Sequence, residues 1–281
     1  PIVTTNPCGE VLLYPNEPCN LGSINVWAFA KKDEETGETI VDWDGLKEVV
    51  ISCIRFLDNV IDVNNFPLKS IEEMSLSTRK VGLGVMGVAN LLYELKLPYN
   101  TDEGRQFMEK LMEFIAYWSK VESIKLAQLR GNLPYYSKSF YKDGKHPIKG
   151  PEEGSLNGFN WDKISQDMKK YGIRNGYTTI IAPTGSISMI AGCSSGMEPV
   201  YSVVFEKNVK VGSENVSLKV AIRLTSDKLQ GSISSNADDK KVDEFLQKNT
   251  FSKAQTGFVK KLFQEARTNN FEIILEHGET A

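Results

Sequence analysis

Three side chains with complementary chemistry stand at alternate positions near the start of the sequence: Asn6, Cys8 and Glu10, within Asn6-Pro7-Cys8-Gly9-Glu10. If this stretch is extended, period-2 geometry puts all three on one face, about 7 Å apart per step of two residues. A thiol beside a carboxylate is a chemical unit. The thiol serves as nucleophile or hydrogen-atom carrier, and the carboxylate takes a proton. An amide orients a hydroxyl without titrating. Pro7 stiffens the backbone ahead of the thiol, and Gly9 removes bulk beside it. The competing reading is a cysteine packed against the apolar run that follows.

A second pattern lies far along the chain. Tyr177 to Ala182 (YTTIIA) predicts a β-strand, Pro183-Thr184-Gly185-Ser186 a tight turn, and Ile187 to Ala191 the start of a helix. Strand, small-residue turn and helix start form an anion-binding arrangement, because free backbone N–H groups converge there. No Lys follows the glycine, so this is not a P-loop. An ordinary strand–helix turn with a serine cap has the same spacing.

The elements that must position these residues are legible in outline. Val11 to Tyr14 and Ser23 to Phe29 predict short strands around a turn rich in Pro and Asn, and Lys31 to Glu38 a solvated turn. A helix follows, capped by Asp44, with Leu46, Val49, Val50, Cys53, Ile54, Leu57, Val60 and Ile61 as its apolar stripe. Cys53 is therefore read as packing. Gly82-x-Gly84-x-x-Gly87 formally matches a dinucleotide fingerprint. The residues before it are too polar for a central strand, and close packing of a glycine-lined strand on a helix over Val88 to Leu95 fits better. Thr101 to Arg130 predicts one long helix ended by Gly131, and Trp161 to Tyr171 a short one ended by Gly172. The loop between them, Asn132 to Asn160, holds His146, to which no role is assigned. Cys193, with no histidine nearby in sequence, reads as a structural thiol. Beyond residue 205 there is no Pro, Met, Trp, Tyr or Cys. That region predicts a hairpin (Val216 to Leu224 with Leu229 to Ser234), helices over Lys241 to Lys248 and Phe258 to Arg267, and a strand over Phe271 to Leu275.

Composition excludes several classes. A net charge of −3 argues against a general nucleic-acid binder. No run reaches the length of a membrane span. The four cysteines (Cys8, Cys19, Cys53, Cys193) include no CxxC, which excludes common zinc ribbons and argues against a secreted disulfide scaffold.

The stretches NPCGEVLLYPNEPCNLGSINV, SLSTRKVGLGVMG (Ser75 to Gly87) and APTGSISMIAGCSSGMEPVYSVV (Ala182 to Val204) together resemble ribonucleotide reductases, closest to the adenosylcobalamin-dependent class II enzymes, over about residues 1 to 210. The resemblance implies an α/β fold: a partial ten-stranded α/β barrel, the C-terminal half of the catalytic barrel, over 1–208. A small α+β tail module of unknown role would follow over 209–281. It implies reduction of the ribose 2′-OH of a ribonucleotide. Cys8 would carry a thiyl radical, Glu10 act as general base on the 3′-OH, and Asn6 bond the substrate hydroxyls. Cys19 would be one of two reducing cysteines. Thr184, Gly185, Ser186 and Ile187 would hold the substrate phosphates. Adenosylcobalamin would be the cofactor and an external dithiol such as thioredoxin the reductant, in the cytoplasm, with no resident metal, nucleic acid or membrane partner. The second reducing cysteine and the first half of the barrel would lie upstream of Pro1. The chain thus reads as a piece of a longer protein, not expected to turn over ribonucleotides by itself. The alternative is a non-catalytic scaffold that keeps a barrel remnant.

Overall fold

A computed structural model describes residues 2–146, 154–200, 207–211, 214–218, 221–226, 230–268 and 272–277. The chain divides into two compact units, Pro1–Val200 and Tyr201–Ala281.

In the first unit the chain opens with a short antiparallel hairpin, β1 (Thr4–Thr5) on β2 (Leu12–Leu13). Next come β3 (Leu21–Asn25), a 3₁₀ turn at Val26–Phe29, and a second hairpin of β4 (Ala30–Lys32) and β5 (Thr39–Val41). The turn expected over Lys31 to Glu38 is thus the tip of this hairpin, closed by Asp33, which accepts from the Thr36 N–H at 2.8 Å. Helix α1 (Trp43–Val63) buries Leu46, Val50, Ile54, Leu57 and Ile61 on one stripe, as the spacing predicts, whereas Val49 of the expected stripe is exposed. Its cap is Asp42, not Asp44: the Asp42 carboxylate accepts the Gly45 N–H at 3.3 Å. Helix α2 (Lys69–Thr78), which the sequence reading did not anticipate, leads into β6 (Gly82–Met86) and α3 (Val88–Glu94). The long α4 (Asp102–Arg130) is capped by Thr101, packs on α1, and is followed by α5 (Trp161–Tyr171).

The centre of the unit is a small parallel layer. β3 lies parallel to β6, with Leu21 opposite Gly82 and Asn25 opposite Met86. On the other edge of β6, Leu83 bridges Thr179 in parallel. Tyr177–Ala182 is therefore not a regular strand. The N–H groups of Val81 and Leu83 reach the successive carbonyls of Tyr177 and Thr178, the one-residue slip of a bulge. The glycines explain the approach. A Cβ on Gly84 would lie 2.3 Å from the Ile180 carbonyl oxygen, and one on Gly82 2.4 Å from the Ile180 side chain. The GxGxxG spacing serves strand packing, and among the described residues no closed barrel is formed.

The second unit holds the hairpin β7 (Lys207–Val211) and β8 (Glu214–Leu218), and a three-stranded sheet. The sheet comprises β9 (Ala221–Ser226), β10 (Ser232–Ser234) and β11 (Glu272–His277), with α7 (Asp239–Lys248) and α8 (Lys253–Thr268) between β10 and β11 in sequence. The hairpin predicted over 216–234 is not formed. The spatial order is β10-β11-β9, so β11 separates the two expected partners. Ile273 and Leu275 of β11 are buried with Phe245 and Phe263, which makes β11 the strand that the helices cover. Asp227 to Leu229, part of that expected hairpin, lie outside the described residues.

Candidate functional site

Asn6, Cys8 and Glu10 sit at the tip of the β1–β2 hairpin. The stretch is not extended. The Asn6 N–H donates to the Val11 carbonyl at 3.2 Å, and the Asn6 carboxamide oxygen accepts the Val11 N–H at 3.1 Å. The Gly9 N–H donates to the Asn6 carbonyl at 3.1 Å, and Gly9 has φ +84°. The chain thus reverses between Asn6 and Val11, and the expected one-faced strand geometry is replaced by a turn. The glycine is there for its backbone: a Cβ at Gly9 would meet nothing within 4 Å, but its φ is left-handed.

This turn gives the three side chains different surroundings. Cys8 is exposed at the tip. Asn6 is folded inward, 6% exposed, with its oxygen committed to Val11. Glu10 is half-buried, and its Oε2 is buried with no hydrogen-bond partner. An unpaired buried carboxylate oxygen is costly, so Glu10 is an acceptor without its donor. Cys19, eleven residues beyond Cys8 and also exposed, lies near enough for the charges of Glu10 and Cys8 to act on its thiol. Its thiol is pushed up by burial first, then by the charges of Glu10 and of Cys8. Cys8, Glu10 and Cys19 therefore share one electrostatic environment. A cavity of about 200 Å³ borders Cys19, lined also by Asn20, Asn64, Phe66, Thr78 and Lys80.

The turn at Thr184 to Ile187 lies elsewhere in the layer. Cys19 precedes the amino end of β3, whereas this turn follows the carboxyl end of the segment parallel to β6. Thr184 is strained at φ +52° and buried, and its hydroxyl accepts the Gly196 N–H at 2.7 Å. The Thr184 carbonyl accepts the Ser188 N–H at 3.0 Å, opening α6 (Ile187–Ile190), a single turn. Ser186 occupies the cap position without a side-chain cap bond. The segment after α6 is tied to α3: the Gly87 N–H donates to the Ser194 carbonyl at 2.8 Å, and the Asn90 side chain accepts the Ser194 N–H at 2.6 Å.

Two polar clusters lie partly within the recognised motifs, at residues to which no role is assigned. In the first, the Glu17 carboxylate takes the Lys80 ammonium at 2.7 Å, the Thr78 hydroxyl at 2.5 Å and the Tyr14 N–H at 2.9 Å. In the second, Asp58, fully buried on the apolar stripe of α1, takes the Arg79 guanidinium at 2.7 Å, Arg130 at 3.2 Å and the Asn175 amide at 3.0 Å. Arg79, at φ +45°, also bonds Asp62 at 2.7 Å. The available signal was charge within apolar patterns: Asp58 between Leu57 and Ile61, and Lys80 against Val81. Cys53 packs on the core as expected. His146 is not simply solvated: its Nε2 bonds the Ser165 hydroxyl at 2.9 Å, its ring stands edge-on to Trp161, and burial holds its pKa down.

The chain belongs to the ribonucleotide reductase family: the profile of the ribonucleotide reductase barrel domain matches residues 1–268. Among its relatives, the chain is similar to a vitamin B12-dependent ribonucleoside-diphosphate reductase of Thermoplasma acidophilum, 42% identical over 213 residues, covering 76% of this chain and 24% of the relative. The same-named enzyme of Mycobacterium tuberculosis is 38% identical over 208 residues, covering 74% and 25%. A ribonucleoside-diphosphate reductase subunit alpha of Chlamydia pneumoniae is 36% identical over 220 residues, covering 73% and 20%. The chain spans a fifth to a quarter of the length of these relatives. Among the described residues, no helix is long and apolar enough to cross a membrane.

Proposed function

We propose that this chain contributes the thiyl-radical half of a ribonucleotide reductase active site, with Cys8 as radical carrier, Glu10 as base, Asn6 as a hydroxyl-orienting amide and Cys19 as a reducing thiol. The observation that supports it most is that exposed Cys8 and Glu10, whose Oε2 is buried without a hydrogen-bond partner, share one hairpin tip, with Cys19 near enough to feel the charge of both. Each type has a job. Cys8 sulfur takes the 3′-hydrogen of the ribose, Glu10 takes the 3′-OH proton, and the 2′-hydroxyl leaves as water. Two electrons then come from Cys19 and a second thiol, which become a disulfide, and Cys8 returns its hydrogen. That second thiol, with the rest of the barrel, is assigned to the portion of the relatives that this chain does not span. The 1–208 region is read as barrel, and 209–281 as an attached module.

The names of the two vitamin B12-dependent relatives favour adenosylcobalamin over other radical sources. That cofactor, when bound, supplies the radical that Cys8 carries. A thiol exposed on a hairpin tip fits this demand, since the radical must reach it. No residue of the chain is assigned to hold the corrin. Thr184, Gly185, Ser186 and Ile187 are assigned to the substrate phosphates, and a cytoplasmic dithiol such as thioredoxin to reduction of the disulfide. The test is deoxyribonucleotide formation by the polypeptide that carries this chain in its native reading frame. Product is expected only with adenosylcobalamin present. With the dithiol omitted, about one equivalent per chain is expected. Product formed without cobalamin overturns the cofactor assignment.

A further inference from the structure

We propose that Lys80 is the positioning residue that sets the Cys8 hairpin against the parallel layer, a role that draws on the reductase reading only for its activity readout. The hairpin over residues 2–13 is held mainly to itself. Its bonds, Val3 to Leu13, Asn6 to Val11 and Gly9 to Asn6, are internal. Ile2, Val3 and Leu12 are exposed, and of its apolar side chains Val11 and Leu13 are buried. A two-stranded hairpin of this size has no independent stability. Among the described residues, one hydrogen bond joins it to the rest of the unit: the Lys80 ammonium donates to the Leu12 carbonyl at 3.0 Å.

That ammonium is itself immobilised. Glu17 accepts from it at 2.7 Å, and it lies over the rings of Tyr14 at 4.7 Å and Tyr177 at 4.9 Å. The Glu17 side chain is 1% exposed and is fixed in turn by Thr78 and Tyr14. Lys80 thus ties the hairpin to the end of α2, to the 14–17 turn and to the segment paired with β6. A buried ion pair adds little net stability compared with well-packed apolar residues. What it provides here is direction: two packed apolar side chains tolerate sliding, whereas a hydrogen bond to one carbonyl does not. Leu12 stands two residues beyond Glu10, so holding its carbonyl sets the height of the base and of Cys8.

Hydrogen exchange followed by mass spectrometry on the full chain tests this. In Lys80→Met, exchange of the 2–13 amides is expected to rise about tenfold while α4 keeps its protection. Unchanged hairpin exchange overturns the proposal. If Lys80→Met also loses α4 protection, Tyr177→Leu is read instead, since it loosens the ammonium and keeps its charge. A rise of about threefold confined to 2–13 is then expected, and no rise overturns the proposal. In the native polypeptide, Lys80→Met is expected to lower kcat about tenfold with KM changed less than about twofold, the signature of misplaced chemistry with intact binding. A wild-type polypeptide that makes no deoxyribonucleotide refutes the reductase reading. The exchange comparison still decides the role of Lys80.

Discussion

The residues of the site are distinguished by what surrounds them. Glu10 raises the Cys19 pKa, and burial raises it more, so Cys19 holds less thiolate near neutrality than an ordinary cysteine. Replacing Glu10 by Gln removes one of these charges and is expected to speed alkylation of Cys19 by iodoacetamide at pH 7.5 about threefold. Peptide mass spectrometry reads the rate at each cysteine separately, and an unchanged Cys19 rate contradicts the shared site. Lys120 poses the opposite problem. It is buried on α4 with the Tyr141 hydroxyl 3.1 Å from its ammonium, and burial pushes its pKa from 10.5 down to about 7. The unfolded chain keeps that proton up to about pH 10.5, whereas the folded chain loses it near 7. Stability therefore rises with pH through that window, and below it the full cost of the buried charge is present. Lys120→Met is expected to stabilise the protein by about 1–4 kcal/mol at pH 6, and by much less at pH 10. Urea unfolding at the two pH values checks the difference.

At the scale of elements, the parallel layer and its helices were readable where one physical cause dominated. The stripe of α1, the Thr101-capped α4 and the Gly172-ended α5 follow from apolar period and caps, and all three form as their spacing implies. The glycines of β6 were readable as packing glycines. Gly84→Ala, with its Cβ against the Ile180 carbonyl, is expected to cost about 1–3 kcal/mol or more in thermal unfolding. The tip of the first hairpin was not legible, because its reversal depends on the Asn6 oxygen capping Val11, and the same sequence alternates well enough for a strand. The order of strands in the second unit was hidden for a related reason. Adjacent β-rich segments suggest a hairpin, but β11, forty residues later, supplies the buried face that wins the central place. Least visible was the cluster that clamps α1, α2 and α4 to the 174–175 segment. Asp58→Ala leaves Arg79 and Asn175 without their shared acceptor and is expected to cost about 3–5 kcal/mol, measured by chemical denaturation. The cost would be far below 1 kcal/mol if these charges were merely solvated.

Over the whole chain, the recognised motifs lie within about residues 1–210, while the family profile runs on to residue 268, into a unit whose sequence carries no motif of its own. The second unit has its own apolar core around Phe245, Leu262 and Phe263. In the first unit the charges of Glu10 and Cys8 act on Cys19, and the Lys80–Glu17 pair bonds the hairpin that carries Cys8 and Glu10, the kind of fixed support a reactive side chain requires. The most direct measurement compares wild type with Cys8→Ser in the polypeptide that carries this chain in its native reading frame, scored by adenosylcobalamin-dependent deoxyribonucleotide formation. Cys8 is exposed, so the substitution is expected to leave the thermal midpoint unchanged. The account predicts product from the wild type and a loss of at least about a thousandfold in Cys8→Ser, because a hydroxyl cannot carry the hydrogen-atom transfer. Product formation that survives in Cys8→Ser would contradict it.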